Sequence, residues 1–284
     1  LYKSTLSTKY WEPRWWEGSA GAYLLFKRPS IEYLRYTGAP GDLTMLDQAL
    51  QQLVALPAKE QSTALFRYDL VDFSRHAVTQ HIDMLLQHTM LAYQQGKVEQ
   101  GDNFRRQAEQ LILGVDALIG GQQETLYSWV KEARDYADTP ELAALYERNA
   151  RRQVTSWGGL KLKDYASKAW QGMYADFYLP RWELMFDAQR KAAQDGKALD
   201  KAAVEQQLVD WEAAWLDKPI DPQRLLASLQ QALAGSDLDK TQVFVCQHSP
   251  PCPYARFCAQ PHWPLRSCSA RTAGPRHRSR MTQR

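Results

Sequence analysis

The sequence has 284 residues, 44% of them hydrophobic, and a formal net charge of +3 that comes from its end. Residues 246–284 contain seven Arg and no acidic residue, so 28 basic and 32 acidic side chains remain before them, a net charge of −4. This balance offers no basic footprint for nucleic acid. No stretch of about 18 apolar residues is present, which excludes an ordinary membrane-spanning helix.

The first 42 residues are predicted to be irregular, because Pro and Gly recur in them too often for a long helix. They also contain Trp11, Trp15 and Trp16, which we expect to cover the helices that follow. Within this stretch a short helix is predicted over residues 30–36, capped by its first serine. We interpret 1–42 as an aromatic segment that packs on a helical domain.

Apolar residues at three- and four-residue spacings predict helices through most of 43–244. Thr139 and Pro140 mark one helix start, as a cap followed by a proline at the first helical position. Pro180 is expected to kink or interrupt another helix, because it has no N–H to donate. The predicted helices cover residues 43–56, 62–95, 102–118, 124–137, 140–157, 162–190, 201–216 and 221–233.

No convincing strand alternation is present, and the predicted loops are short. The fold class is therefore all-α, an antiparallel array or bundle of helices. No block recurs at a fixed period, which argues against a regular solenoid. After about residue 244 the composition changes to Pro, Arg, Cys and Ser, and 245–284 is predicted to be a disordered basic tail. A shifted reading frame is the favoured origin of that tail.

Metal, nucleophile and phosphate sites find little support in the sequence. The four cysteines, all in the tail, are spaced by six, six and ten residues, which does not form paired zinc knuckles. His76, His81 and His88 share a predicted helix, and we interpret them as core histidines with satisfied hydrogen bonds. There is no GxSxG elbow and no phosphate-binding glycine loop. We expect no metal and no cofactor.

The stretch 146–182 joins two helical patterns at Trp157-Gly158-Gly159. Gly158 and Gly159 can adopt positive φ and end a helix. Trp157, just before them, can project from the bundle and present its ring to a ligand. Asp164 follows near the predicted start of the next helix, where its charge suits the helix dipole.

Three blocks of residues, in this order, resemble one family. From about Leu1 to about Asp237 the chain is similar to the C-terminal helical domain of α-N-acetylglucosaminidases, glycoside hydrolase family 89. The blocks are Lys27-Arg28-Pro29-Ser30, Phe66-Arg67-Tyr68-Asp69-Leu70-Val71-Asp72, and a long block from Tyr146-Glu147 that includes Trp157-Gly158, Asp164-Tyr165-Ala166 and Tyr178-x-Pro180-Arg181-Trp182.

The resemblance implies that both catalytic glutamates belong to a (β/α)8 barrel that precedes the helical domain, so no catalytic residue is expected in this chain. It also implies that Trp157, Leu162 and Tyr165 form part of the wall of a pocket for N-acetylglucosamine. The implied partners are a glycan ending in α-linked N-acetylglucosamine and the barrel of the same polypeptide. The whole enzyme would hydrolyse this linkage with retention and, if bacterial, would lie in the periplasm or outside the cell.

Two other functions stay open on the sequence alone. The chain could be a free-standing helical interaction module that docks through its aromatic N-terminal stretch. It could also be a carbohydrate-binding helical protein without catalysis. Because the sequence starts at Leu1 without an initiator Met, we expect it to be a fragment of a longer protein.

Overall fold

The computed structural model describes residues 23–36, 43–61, 63–157, 164, 166–219 and 221–234. Within these ranges the chain forms helices and short connections and contains no β-strand, which confirms the predicted all-α class. One isolated β-bridge joins Thr125 to Gln171. The predictions for Trp11, Trp15, Trp16 and for the tail 245–284 lie outside the described residues.

In chain order the helices are a 3₁₀ helix (Ile31–Tyr36), α1 (Leu43–Val54), α2 (Ala58–Gln61), α3 (Ala64–Gln94), α4 (Val98–Leu118), α5 (Leu126–Asp135), α6 (Pro140–Gln153), α7 (Leu179–Gln194), α8 (Lys201–Leu216) and α9 (Pro222–Ala234). A 3₁₀ turn, Ile119–Gly121, ends α4. The predicted bounds of α8 are confirmed to the residue, and most other helix ends lie within a few residues of the predicted ones. The exceptions are α2, which was not predicted, and the start of α7.

Side-chain caps fix several helix starts. The Thr139 hydroxyl accepts the N–H of Leu142 at 3.3 Å and Pro140 opens α6, as predicted. Thr63 caps α3 in the same way through the N–H of Phe66 at 3.1 Å. Each hydroxyl satisfies an N–H that has no partner inside the first helical turn, and such a cap is typically worth about 1 kcal/mol.

The long helix α3 runs through the centre of the molecule and is buried on several faces. It packs most extensively against α4, and the chain reverses between them at Gly96, which has φ 72° and is the predicted stop. Gly101 allows close approach there, because a Cβ at this position would lie 2.4 Å from the ring of Tyr93. The core side chains of α3 that are fully buried include Leu70, Val78, Ile82, Leu86 and Met90.

Residues 23–26 enter this core from the irregular N-terminal stretch. The N–H groups of Leu24 and Leu25 donate to the buried carboxylate of Asp83 on α3, at 2.7 and 2.8 Å. The indole N–H of Trp182 donates to the carbonyl oxygen of Leu25 at 3.0 Å. The N-terminal segment is thus fastened to both α3 and α7, while the boundary at residue 42 stays a prediction.

The prediction of a helix over 162–190 is wrong for the described residues of its first part. Residues 166–172 form turns and irregular backbone, and their polar groups bond to distant partners instead of to a helix of their own. Leu126 N–H donates to the carbonyl oxygen of Gln171 at 2.9 Å, and Gly172 has φ 87°. A π-helical turn, Tyr174–Tyr178, then leads into α7. Pro180 lies in the first turn of α7, where a missing N–H costs little.

Candidate substrate-contacting site

Trp157 lies at the end of a turn, 154–157, that follows α6. Helix α6 ends at Gln153, four residues earlier than predicted. Val154 is buried, and the Thr155 hydroxyl donates to the carbonyl oxygen of Arg151 at 2.8 Å, so the turn is anchored on the last part of α6. The Trp157 side chain is 46% exposed, as expected for a ring that projects from the bundle.

The last part of α6 is itself held by a buried ion pair. Arg151 donates from Nε and Nη2 to Oε1 of Glu147, at 3.1 and 3.0 Å. Arg134 from α5 donates to the other oxygen of Glu147 at 2.6 Å. The guanidinium of Arg151 also lies 4.7 Å from the ring centroid of Trp215 on α8. The turn that carries Trp157 therefore starts from a helix end that is tied to both α5 and α8.

Leu162 and Tyr165 lie outside the described residues, as do Gly158 and Gly159. Their predicted roles in contacting the sugar and in ending a helix therefore stay predictions. The residue between them that is described is Asp164.

The predicted place of Asp164 near a helix N-terminus is wrong. Its backbone is in the left-handed region at φ 55°, and its side chain is buried. Oδ1 accepts from Nη1 of Arg181 at 2.7 Å, and Oδ2 accepts the backbone N–H of Arg28 at 2.6 Å. Asp164 thus joins the N-terminal segment to α7.

Asp164 belongs to a buried arginine cluster that consists of Arg28, Asp164, Arg181 and Glu212. Arg181 has no exposed surface, and its Nη1 also donates to Oε1 of Glu212 at 3.0 Å. Arg28 pairs with Glu212 through Nε and Nη2. Two carboxylates therefore face two guanidinium groups, which balances the buried charge.

The pKa values in this cluster favour the charged forms. Burial opposes the charge of Glu212, but the hydrogen bond from Arg28 and the positive charge of Arg181 hold its pKa below the usual value. Burial alone would lower the pKa of Arg181, whereas Asp164 and Glu212 together raise it. Glu212 is therefore a poor candidate for a general acid, which needs a raised pKa.

An open cleft of about 380 Å³ lies beside Lys168, Ala169 and Trp170, the residues that follow Tyr165 closely in sequence. The Lys168 ammonium lies 5.7 Å from the ring centroid of Trp170. Tyr68, which is half exposed, also lines the cleft. Aromatic rings beside polar groups are typical of saccharide sites. The other residues that line the cleft are Val71, Asp72, Arg75, Ile119, Gln122 and Glu124.

The model of the α-N-acetylglucosaminidase C-terminal domain matches residues 2–228 of the sequence. The chain belongs to this family. Human α-N-acetylglucosaminidase is 33% identical over 141 residues, which are 48% of this chain and 19% of the human protein. The C-terminal domain described here therefore corresponds to a minor part of that relative.

Solved structures show the same fold. A family 89 glycoside hydrolase from Clostridium perfringens, in complex with 2-acetamido-1,2-dideoxynojirimycin, has a TM-score of 0.63 at 19% identity, over 80% of this chain and 27% of that one. A family 89 enzyme from the same organism, in complex with its substrate GlcNAc-α-1,4-galactose, has a TM-score of 0.62 over the same shares of the two chains. The family domain thus spans about a quarter of these solved relatives.

Two of the three histidines of α3, His76 and His81, have hydrogen-bond partners as predicted, whereas the prediction of a core position is wrong for His88, which is exposed. His81 Nε2 lies 3.0 Å from Oδ1 of Asp47, and His76 bonds to the hydroxyl of Tyr23 through Nδ1 and to Gln80 through Nε2. Burial, with Arg75 nearby, lowers the pKa of His76 to about 4. Among the described residues no three His, Cys, Asp or Glu side chains are placed to hold a metal ion. In the same part of the chain, no helix combines the length and apolarity that crossing a membrane requires.

The sequence did not predict the buried arginine cluster. Arg28, Asp164 and Arg181 all stand in the blocks that carry the family resemblance, but Glu212 stands in none of them. Charged residues are usually solvated, and nothing local indicates that these four are buried. The sequence signal that could have indicated the cluster is that Arg28, Asp164 and Arg181, although far apart in sequence, all fall within the blocks that resemble the family.

Proposed function

We propose that this chain is the C-terminal helical domain of an α-N-acetylglucosaminidase and forms part of the wall of its sugar pocket. Trp157, Leu162 and Tyr165 contact a terminal α-linked N-acetylglucosamine. Two glutamates of a (β/α)8 barrel outside this chain carry out the hydrolysis. The observation that carries the proposal is the half-exposed indole of Trp157 on an anchored turn, in a chain that the family model matches over 2–228.

The proposed contacts follow from the chemistry of the side chains. An indole face can stack on a pyranose ring or cover the methyl group of an N-acetyl substituent. A tyrosine hydroxyl can donate to and accept from sugar hydroxyls. The rest of the glycan is proposed to occupy the cleft that is lined by Lys168 and Trp170, residues that closely follow Tyr165 in the sequence.

Three buried carboxyl groups, those of Asp164, Glu212 and Asp116, are unsuited to this hydrolysis. Glycoside hydrolysis needs one carboxyl group that is protonated and reaches the substrate, together with a second one across the scissile bond. Asp164 and Glu212 are both engaged by arginines. Asp116 has a pKa raised to about 7 by burial, but it is enclosed and accepts backbone N–H groups. None of the three meets the requirement for a general acid.

The test compares two proteins. One is the complete open reading frame that contains this chain, and the other is the 284-residue chain alone. We expect the complete polypeptide to hydrolyse a chromogenic α-N-acetylglucosaminide with retention and the chain alone to release no chromophore. Two results would contradict the proposal: an upstream reading frame without a barrel, or turnover by the chain alone that disappears when one of its own carboxylates is replaced.

A further inference from the structure

We propose that Asp164, Arg181 and Tyr178 are positioning residues that hold the backbone on both sides of Tyr165 in place for sugar binding. They act through Tyr165 and its neighbours and do not themselves touch the sugar. The inference rests on the proposed function, because it assigns a purpose to the geometry around a proposed sugar contact.

The residues on the two sides of Tyr165 are held from one place, the start of α7. Before Tyr165, the Asp164 carboxylate is bound by the fully buried guanidinium of Arg181 at 2.7 Å. After it, the Tyr178 hydroxyl donates to the carbonyl oxygen of Lys168 at 2.8 Å and accepts the N–H of Lys168 at 3.0 Å. The chain is thus fastened at Asp164 and at Lys168 to two side chains that lie three residues apart in the sequence, Arg181 and Tyr178.

Arg181 and Tyr178 are also joined to each other, so the two attachments form one unit. The guanidinium carbon of Arg181 lies 4.2 Å from the ring centroid of Phe177 and 5.5 Å from that of Tyr178. Nη2 of Arg181 donates to the carbonyl oxygen of Phe26 at 2.8 Å. Tyr178 in turn stacks on Phe26, with ring centroids 4.6 Å apart. This packing fixes where both polar groups point.

The backbone of Asp164 shows that its position is imposed by these contacts. At φ 55° it lies in the left-handed region, which side chains other than glycine rarely adopt, although Asp tolerates it better than most. Such conformations persist where the surroundings determine them, and they are frequent at functional sites. The contacts of Asp164 therefore fix the backbone at the residue that directly precedes Tyr165 in the sequence.

Stability alone does not account for the buried charges. A buried ion pair often contributes no more to stability than apolar side chains of the same volume, because both ions lose their hydration. Nε of Arg181 and Nη1 of Arg28 are buried and have no hydrogen-bond partner among the described residues, which adds to that cost. A requirement for a fixed geometry at Asp164 explains the buried arginine cluster, which a contribution to stability alone does not explain.

The first measurement uses amide hydrogen exchange on the 284-residue chain and needs no sugar. Asp164→Asn keeps the shape of the side chain, and Tyr178→Phe removes both bonds to Lys168 while keeping the ring. We expect either change to speed exchange across residues 164–168 about tenfold beyond any change in global unfolding. Asp47→Asn and Tyr93→Phe are matched controls, since each alters a buried residue whose side-chain bond, to His81 or to Asp102, lies away from this stretch. The same acceleration in a variant and its control, or none in either variant, would overturn the proposal.

The second measurement uses the complete polypeptide and connects positioning to binding. We expect Asp164→Asn and Tyr178→Phe each to raise KM about tenfold, because a displaced contact loses most of its contribution, while Asp47→Asn and Tyr93→Phe leave KM unchanged. If the complete polypeptide does not act on α-N-acetylglucosaminides, the proposed function fails, and the exchange measurement still decides whether the backbone is held. If Asp164→Asn does not fold, Tyr178→Phe decides both measurements. Local exchange that accelerates without a change in KM would contradict the positioning role.

Discussion

The two sides of residues 158–163 are built by different means. On the side of Trp157, a neutral hydroxyl bond and a buried valine hold the turn and leave the indole exposed, and the nearest buried ion pair lies one step away, at the end of α6. On the side of Asp164, buried carboxylates hold the backbone directly: Asp164 binds Arg28 and Arg181, and Asp116 accepts the N–H groups of Gly172 and Ala175. The difference shows that an exposed ring is held by a neutral bond to an already fixed helix end, whereas a strained and buried backbone is held by the charges themselves.

Removing Arg181 should have the largest effect on stability. Arg181→Met leaves two buried carboxylates with only Arg28 as a cation, and breaking such a pair typically costs about 3–5 kcal/mol of unfolding free energy. Urea denaturation measures the loss. Arg148→Met is the matched control, because the Arg148–Asp217 pair is largely exposed and is expected to be worth less than about 1 kcal/mol. Equal losses of unfolding free energy in Arg181→Met and Arg148→Met would show that the buried arginine cluster contributes no more to stability than an exposed ion pair.

The buried carboxyl group of Asp116 should make the unfolding free energy depend on pH. Asp116 accepts the N–H of Gly172 at 2.7 Å and that of Ala175 at 3.2 Å without a cation bonded to it, and burial raises its pKa to about 7. Because the pKa of Asp116 is higher in the folded state than in the unfolded state, its protonated form contributes to the unfolding free energy. This contribution is complete below about pH 4 and is lost as the pH rises through about 7.

Asp116→Asn tests this, because an asparagine keeps a carbonyl acceptor and does not titrate. The unfolding free energy of the parent, relative to that of the variant, should rise by on the order of 3 kcal/mol between pH 8 and pH 4. His76, whose lowered pKa acts in the opposite direction over part of this range, is the same in both proteins and cancels in the difference. Parallel pH profiles for the two proteins would contradict the assignment.

The smallest effect is expected on the Trp157 side. Thr155→Val removes the hydroxyl that donates to Arg151 and keeps the shape of the side chain, so the loss should be about 1 kcal/mol. Thr89→Val is the control, since the Thr89 hydroxyl makes the same bond to Leu85 within α3. We expect the two changes to lower stability similarly but only Thr155→Val to alter the fluorescence of Trp157. Identical emission spectra for Thr155→Val and the parent would contradict the claim that the Thr155 hydroxyl bond holds the turn at Trp157.

The sequence predicted the Trp157 side of residues 158–163 better than the Asp164 side. The start of α6 was predictable, because Thr139 and Pro140 are local signals, and the exposure of Trp157 followed from its place before two glycines. The buried face of α6 was not predictable from the spacing of apolar residues. The apolar residue Leu145 is 47% exposed, while the structure buries Glu147 and Arg151, whose opposite charges neutralise each other at a spacing of one helical turn.

The stretch after Asp164 was mispredicted for a related reason. Apolar residues at helical spacing continue through it, but its backbone groups bond to Tyr178, Leu126 and Asp116 instead. These partners come from three different parts of the chain, and the spacing of apolar residues carries no information about them. Residues whose position depends on distant charges or hydroxyls are therefore beyond a reading of local patterns.

The contact between Trp157 and the sugar is the central claim. Its most direct test is the KM of the complete polypeptide for a chromogenic α-N-acetylglucosaminide, measured for Trp157→Ala and for Tyr136→Ala, which removes a ring that is 84% exposed elsewhere on the domain. The account predicts that Trp157→Ala raises KM about tenfold, equivalent to about 1.4 kcal/mol, and that Tyr136→Ala leaves KM unchanged. A Trp157→Ala enzyme with the KM of the parent would contradict it.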